Sequence, residues 1–335
     1  MNSATPNVQA PVAPPQRHRA TCADYMRIAR FDHATKHIFI VPGLVLAYAL
    51  RHPPLDGIVL AVILGFISAV LIASSNYIIN EWLDREFDAL HPEKSRRTAV
   101  HKDLQAPMVY TQYAIFTVVG LGIAWFVGTT FFWASVVFWL SGVVYNVKPM
   151  RSKDKTYIDV LTESLNNPIR LMLGWAMVDP ASLPPASLVL AYWMGGAFLM
   201  GSKRLSEYRE ITASAGTELL RRYRKSFENY TEESLTVSCF VYAMLSAFAL
   251  AVFLIKYRIE YALAFPLFVV LFAHYLSLSM RSDSVAQKPE KLFREKRLMV
   301  FCALTAIVMA ILTFVDVPMM NFISEPRILI VGAHN

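Results

Sequence analysis

Residues 57–79 run without one charged side chain, and the run then meets Asn80, Asp84 and Asp88 at intervals of four. An uninterrupted apolar stretch of that length crosses a bilayer as a helix, which takes about 20 residues. On a helix the three polar side chains project from one face. Ionisable groups at the edge of a membrane span are costly and mark function. A row of oxygen donors at that depth points to a divalent cation held against a phosphorylated ligand, with magnesium favoured because it takes few protein carboxylates and completes its shell with water and phosphate oxygens.

The same pattern of apolar runs recurs along the 335 residues, of which 55% are hydrophobic and 17% charged, too apolar for a soluble protein of this size. Nine stretches qualify as spans: about 37–50, 57–79, 107–128, 130–146, 157–178, 186–202, 234–255, 259–280 and 298–315. The expected fold is an all-α integral membrane protein of nine transmembrane helices, with a cavity at the cytoplasmic side. Charge supports this topology. Of the 32 Lys and Arg residues, 27 fall in the N-terminal region and in the loops after the second, fourth, sixth and eighth spans, the loops that a nine-helix arrangement places on one side. Positive charge accumulates in cytoplasmic loops, so both acidic rows are expected to face the cytoplasm from an inner membrane. The net charge of +7 is then a topology signal, available to anionic lipids and phosphates, and nucleic-acid binding is not expected.

Residues 1–24, rich in Pro, Ala and Gln, are expected to form a disordered cytoplasmic tail, 25–315 the helical domain, and 316–335 a short terminal segment. Cys22, Cys239 and Cys302 are too dispersed for a disulfide framework or a zinc site.

A second polar row follows the fourth span, which ends in Tyr145, Asn146 and Lys148. Asp159, Glu163, Asn166 and Arg170 lie at offsets of four, three and four, so one helical stripe carries them all and is expected to line the cavity of the first row. Pro168 in the same span predicts a kink. Basic residues surround both rows. Lys94 and Arg97 follow the first, and Lys203, Arg204 and Glu207 extend from the sixth span, where Lys203 and Arg204 are expected to contact phosphate. The basic stretch Arg221–Lys225 is expected to lie on the membrane surface.

These residues resemble the UbiA superfamily of intramembrane prenyltransferases over about residues 25–315. The first motif of that family is usually Asn-Asp-x-x-Asp-x-x-x-Asp; Asn80, Asp84 and Asp88 match it, and Glu81 stands for its first Asp. Asp159 and Glu163 occupy the second, Asp-x-x-x-Asp motif. Lys36-His37, the stretch Asp88–Lys94, and Lys203-Arg204-Leu-Ser-Glu207 are similar to one branch, the decaprenyl-phosphate phosphoribosyltransferases, as is the final basic loop, 288–297. Arg97-Thr98 departs from that branch's Arg-Pro, and Asn166-Asn167-Pro168 from its apolar second-motif helix.

The resemblance implies magnesium on Asn80, Asp84, Asp88 and Asp159, with Asp84, Asp88 and Asp159 as the catalytic carboxylates. Lys36, Lys94, Arg97, Tyr145, Lys148, Glu163, Asn166, Arg170, Lys203, Arg204 and Glu207 are the candidates for gripping substrate. The expected partners are a polyprenyl lipid and a phosphorylated donor in a membrane; the oligomeric state is left open, a homo-oligomer included. Two reactions fit: phosphoribosyl transfer to a polyprenyl phosphate, or polyprenyl transfer from a diphosphate to an aromatic or other small acceptor. A transporter or lipid-binding scaffold is the non-enzymatic alternative, since intramembrane charges also line translocation paths.

Overall fold

A computed structural model describes residues 18–54, 56–91, 94–281 and 295–320. Most of the expected disordered tail, the loop 288–294, and the end of the chain from 321 lie outside these residues. The described part of that segment begins with regular structure at His18. Strand β1 (His18–Arg19) pairs in parallel with β2 (Lys102–Asp103). Helix α1 (Cys22–Ile28) then starts at Thr21, whose backbone N–H and hydroxyl both donate to Asp24 Oδ2, at 2.9 and 2.8 Å. That carboxylate satisfies groups a helix start otherwise leaves unpaired.

Each of the nine apolar stretches is helical. A 3-10 turn (Phe31–Ile40) leads into α2 (Val41–Arg51), and α3 (Ile58–Asp88) carries the first acidic row at its end. A short α4 (Thr98–His101) precedes α5 (Ala106–Val127) and α6 (Thr129–Asn146). The fifth stretch divides into α7 (Ile158–Ser164) and α8 (Asn166–Val178). Pro168 has no N–H to offer the carbonyl of Ser164 and its ring crowds that carbonyl, so the break falls one turn before the proline. The chain continues through α9 (Ala186–Tyr223), α10 (Glu232–Tyr257), α11 (Phe265–Ser279) and α12 (Lys296–Phe314). Among the described residues six helices are long and apolar enough to cross a membrane: the stretch Cys22–Arg51, α3, α5, α10, the stretch Ile259–Ser279, and α12. The chain is thus a multi-pass membrane protein.

The outer surface is apolar as well as the interior. Val59, Val118, Phe126, Phe248 and Phe314 point outward and are largely exposed, whereas Ser68, Ser75 and Ser135 are fully buried. Apolar side chains facing outward suit lipid, and small residues inside let helices approach closely. Helices α2 and α8 use glycine for that approach in both directions: a Cβ on Gly43 would lie 2.1 Å from the carbonyl oxygen of Leu171, and one on Gly174 would lie 2.1 Å from that of Ile40. This contact sets α8 deep in the bundle, where every residue from Asn167 to Val178 except Met172 is buried. Ile40, Ile72, Phe131, Phe138, Ile169 and Leu173 pack into one apolar cluster at the centre.

Candidate active site

Asp84 leaves the last turns of α3 beside Asn80, whose side-chain amide donates to Asp84 Oδ2 at 3.1 Å and to Asn146 Oδ1 at 2.6 Å. The segment after α6 then folds back over this row. Arg151 donates through Nη2 to Asp84 Oδ1 at 2.9 Å, and Lys153 Nζ lies 2.5 Å from the same oxygen. Both cations are buried, and Lys153 is also held by Asn146 Oδ1 at 2.9 Å. Burial pushes the Lys153 ammonium down to about 8, against the attraction of Asp84. Lys148, the cation expected here, is exposed. Arg151 adopts a positive φ of 24° three residues later, and this turn aims Arg151 and Lys153 inward in its place.

Asp88, one turn beyond Asp84, accepts from Arg97 Nη1 at 2.7 Å. Glu81 is buried and accepts from the backbone N–H of Ala99 at 3.2 Å. It thereby caps α4, the short helix that begins after Arg97 and fixes that arginine's place. The first row thus offers carboxylate and amide oxygens only, a donor set that fits a hard divalent cation. Among the described residues no three His, Cys, Asp or Glu side chains converge on one point, so an ion at this row needs water or ligand oxygens as well.

The second row meets α9 and the segment after it. Arg204, 1% exposed, contacts three carboxylates at once: Asp159 Oδ2 at 3.3 Å, Glu163 Oε2 at 2.5 Å and Glu207 Oε2 at 3.1 Å. Glu163 also accepts from the Tyr145 hydroxyl at 2.9 Å and lies 4.0 Å from Lys203. Asp159, expected as a further metal ligand, has both oxygens engaged by protein donors. Arg224, Ser226 and Arg204 share Oδ2, and Tyr230 donates to Oδ1 at 2.8 Å. An ion at Asp159 would share the carboxylate with these donors. Arg224 also donates to the Tyr145 hydroxyl and is within electrostatic reach of Asp84, so one guanidinium stands between the two rows.

Glu207 joins the rows by a second route. Its Oε1 accepts from the Tyr223 hydroxyl at 2.9 Å and lies 3.2 Å from Lys94 Nζ and 3.3 Å from His91 Nε2, both on the loop after α3. Lys94 also donates to Tyr223. Burial disfavours the Glu207 carboxylate, yet Lys94, the bond from His91, and Arg204 hold it well below the usual carboxylate range.

The match to known proteins agrees with this arrangement. Residues 38–304 match the UbiA prenyltransferase family. The chain belongs to that family. It is a transferase, and its UbiA fold is shared with solved structures. A UbiA homologue from Archaeoglobus fulgidus bound to GPP and Mg2+ superposes with a TM-score of 0.65 at 20% identity, over 87% of this chain and 98% of that one. A digeranylgeranylglyceryl phosphate synthase superposes with a TM-score of 0.56 at 15% identity, over 87% and 95%. The decaprenyl-phosphate phosphoribosyltransferase of Mycolicibacterium smegmatis is 28% identical over 171 residues, so the chain spans about half the length of that relative.

Of the sequence-expected residues, the UbiA fold brings Asn80, Asp84, Asp88, Lys94, Arg97, Tyr145, Asp159, Glu163, Lys203, Arg204 and Glu207 into one polar network. Asn166 sits apart from it, accepting from Ser141 between α6 and α8. Lys36 and Arg170 both lie within electrostatic reach of His37 and Tyr77, and Lys36 also of Lys203. The stripe from Asp159 to Arg170 divides in its partners: Asp159 and Glu163 meet Arg204, whereas Asn166 meets Ser141 and Arg170 lies against Phe138.

The residues missed from sequence are Arg151, Lys153, Arg224, Ser226 and Tyr230. Around the basic stretch Arg221–Lys225, Tyr223, Phe227 and Tyr230 turn into an apolar cluster while Arg221 and Arg222 stay exposed. Their offsets of four and three were the available signal, an aromatic stripe that a surface helix would not bury.

Proposed function

We propose that this protein transfers a 5-phosphoribosyl group from phosphoribosyl diphosphate to a polyprenyl phosphate at the cytoplasmic face of an inner membrane. The observation carrying this reading is the convergence of basic side chains from separate segments on Asp84 and Asp159: Arg151 and Lys153 after α6, Arg204 on α9, and Arg224 beyond it. A donor with a 5-phosphate besides its diphosphate calls for more positive charge than a prenyl diphosphate. The partial likeness to a decaprenyl-phosphate phosphoribosyltransferase supports the same choice.

In this reading Asn80, Asp84 and Asp88 hold magnesium. When bound, the ion neutralises the leaving diphosphate. Arg151, Lys153 and Arg97 exchange their carboxylate partners for phosphate oxygens, which their charged N–H groups recognise equally well. Asp159 keeps Arg204 and Arg224 oriented toward the sugar side of the site. A lipid phosphate oxygen forms the new bond to the anomeric carbon, while the bond from that carbon to diphosphate breaks and diphosphate departs with the electron pair. The attacking phosphate is already anionic at neutral pH, so no general base is required.

The test is incubation of the purified protein in detergent with magnesium, a polyprenyl phosphate and labelled phosphoribosyl diphosphate. Label in the lipid fraction is the expected result. Its absence, with label transferred from a polyprenyl diphosphate to an aromatic acceptor instead, would replace this reading with prenyl transfer.

A further inference from the structure

Among the described residues two cations inside the bundle, Arg170 and Lys36, form no ion pair with a carboxylate. Arg170 projects from α8 and is 6% exposed, with its guanidinium 5.0 Å from the ring of Phe138. Its Nη1 reaches the carbonyl of Asn166 at 3.4 Å and the Tyr77 hydroxyl lies against the guanidinium, while among the described residues its Nε has no partner. His37, equally buried, also leaves Nδ1 without a partner. Lys36, its neighbour on the 3-10 turn, places Nζ 5.3 Å from the centre of the Tyr77 ring and 3.1 Å from His33 Nδ1. His37 and Tyr77 each lie within electrostatic reach of both Lys36 and Arg170. Among the described residues neither cation forms an ion pair, whereas Arg97, Arg151, Arg204 and Arg224 all do.

An unpaired guanidinium within a membrane bundle is costly, and such groups face a partner or a polar cavity. Beside the Tyr77 hydroxyl, two such cations are matched by an anion. Arginine's fork recognises the paired oxygens of a phosphate. The surroundings select a phosphate with a lipid tail, because Phe138 and Ile169, adjacent to Arg170, belong to the central apolar cluster.

We propose that Arg170 and Lys36 receive the phosphate of the lipid acceptor, in a subsite that adjoins the basic side of the first row through Lys203 and Arg97. This rests on the transfer reading above for the identity of the lipid. The subsite would present the nucleophilic phosphate from the apolar side of the bundle while the donor enters from the basic loops.

The test measures thermal stabilisation of the purified full chain in detergent by a short-chain polyprenyl phosphate, by the corresponding prenol, and by phosphoribosyl diphosphate with magnesium. In Arg170→Gln, the apparent affinity for polyprenyl phosphate should fall by about tenfold or more, the scale of one charged hydrogen bond. The responses to prenol and to phosphoribosyl diphosphate should match wild type. Lys36→Gln, at a half-buried site, should show the same selective loss and serves if Arg170→Gln does not fold. Unchanged affinity for polyprenyl phosphate in the folded variant would overturn the proposal. A selective loss toward phosphoribosyl diphosphate would overturn it in favour of the donor's 5-phosphate. Absence of phosphoribosyl transfer in wild type, with selective lipid-phosphate binding intact, would remove the proposed reaction and leave this subsite standing.

Discussion

Glu207 Oε1 and Lys94 Nζ stand 3.2 Å apart, and this pair ties the long α9 to the loop that leaves the first acidic row. Glu207 also engages Arg204 and Tyr223, so one carboxylate joins elements that converge on the site. Removing one partner of a buried, hydrogen-bonded pair leaves the others uncompensated, a cost of about 3–5 kcal/mol. Glu207→Gln should therefore lower the melting temperature in detergent and reduce turnover together.

The pH dependence of that loss follows from the depressed ionisation of Glu207. Its stabilisation is fully present above the unfolded value of about 4.5 and is lost as pH falls toward the lower folded value. The difference in melting temperature between wild type and Glu207→Gln should be largest near neutrality and should shrink below pH 4.5. A constant difference across that range would show that the carboxylate's charge contributes nothing.

Arg151 and Lys148 lie three residues apart with opposite exposure. Arg151→Gln should raise the KM for the diphosphate donor by about tenfold or more, from the loss of a charged contact worth about 1.5–3 kcal/mol. Lys148→Gln should leave it within about twofold. Steady-state kinetics at fixed lipid concentration distinguishes the two, and equal effects would contradict the inward turn at Arg151.

Metal removal tests the first row. Turnover should stop in excess EDTA and return on addition of magnesium. Asp84→Asn and Asp88→Asn should each lower turnover by at least about a hundredfold, since even the outer partners of metal ligands are worth about 10- to 100-fold. Full activity in chelator would sink the assignment.

Gly174→Ala probes the packing that positions Arg170. The added methyl would sit 2.1 Å from the carbonyl oxygen of Ile40, a backbone atom that cannot rotate away. Overpacking of this kind costs about 1–3 kcal/mol, so the melting temperature should fall. Gly122→Ala, where a Cβ meets nothing within 4 Å, is the control.

The sequence alone determined the membrane class, the helical stretches and the two acidic rows. Bilayer length, apolar continuity and four-residue spacing are local properties, and they survive whatever the helices pack against. The first row was legible to the residue, because α3 runs unbroken through Asn80, Asp84 and Asp88. The second row was legible in its spacing, but not in its partners: Asp159 and Glu163 meet Arg204, whereas Asn166 and Arg170 meet Ser141 and Phe138 deeper in the bundle.

Only the tertiary structure decided which cations meet which carboxylates. Arg151, Lys153 and Arg224 lie on segments whose path depends on turns and on aromatic anchors such as Tyr230, and a basic residue on a loop carries no mark of which way it faces. Charge pairing is a long-range outcome. Asp159 and Arg224 are 65 positions apart in the chain, and what brings them within 3.1 Å is the burial of Tyr223, Phe227 and Tyr230. Among the described residues, helix packing sets Lys36 and Arg170 around Tyr77 and not against a carboxylate, a placement that appears only once the helices are assembled.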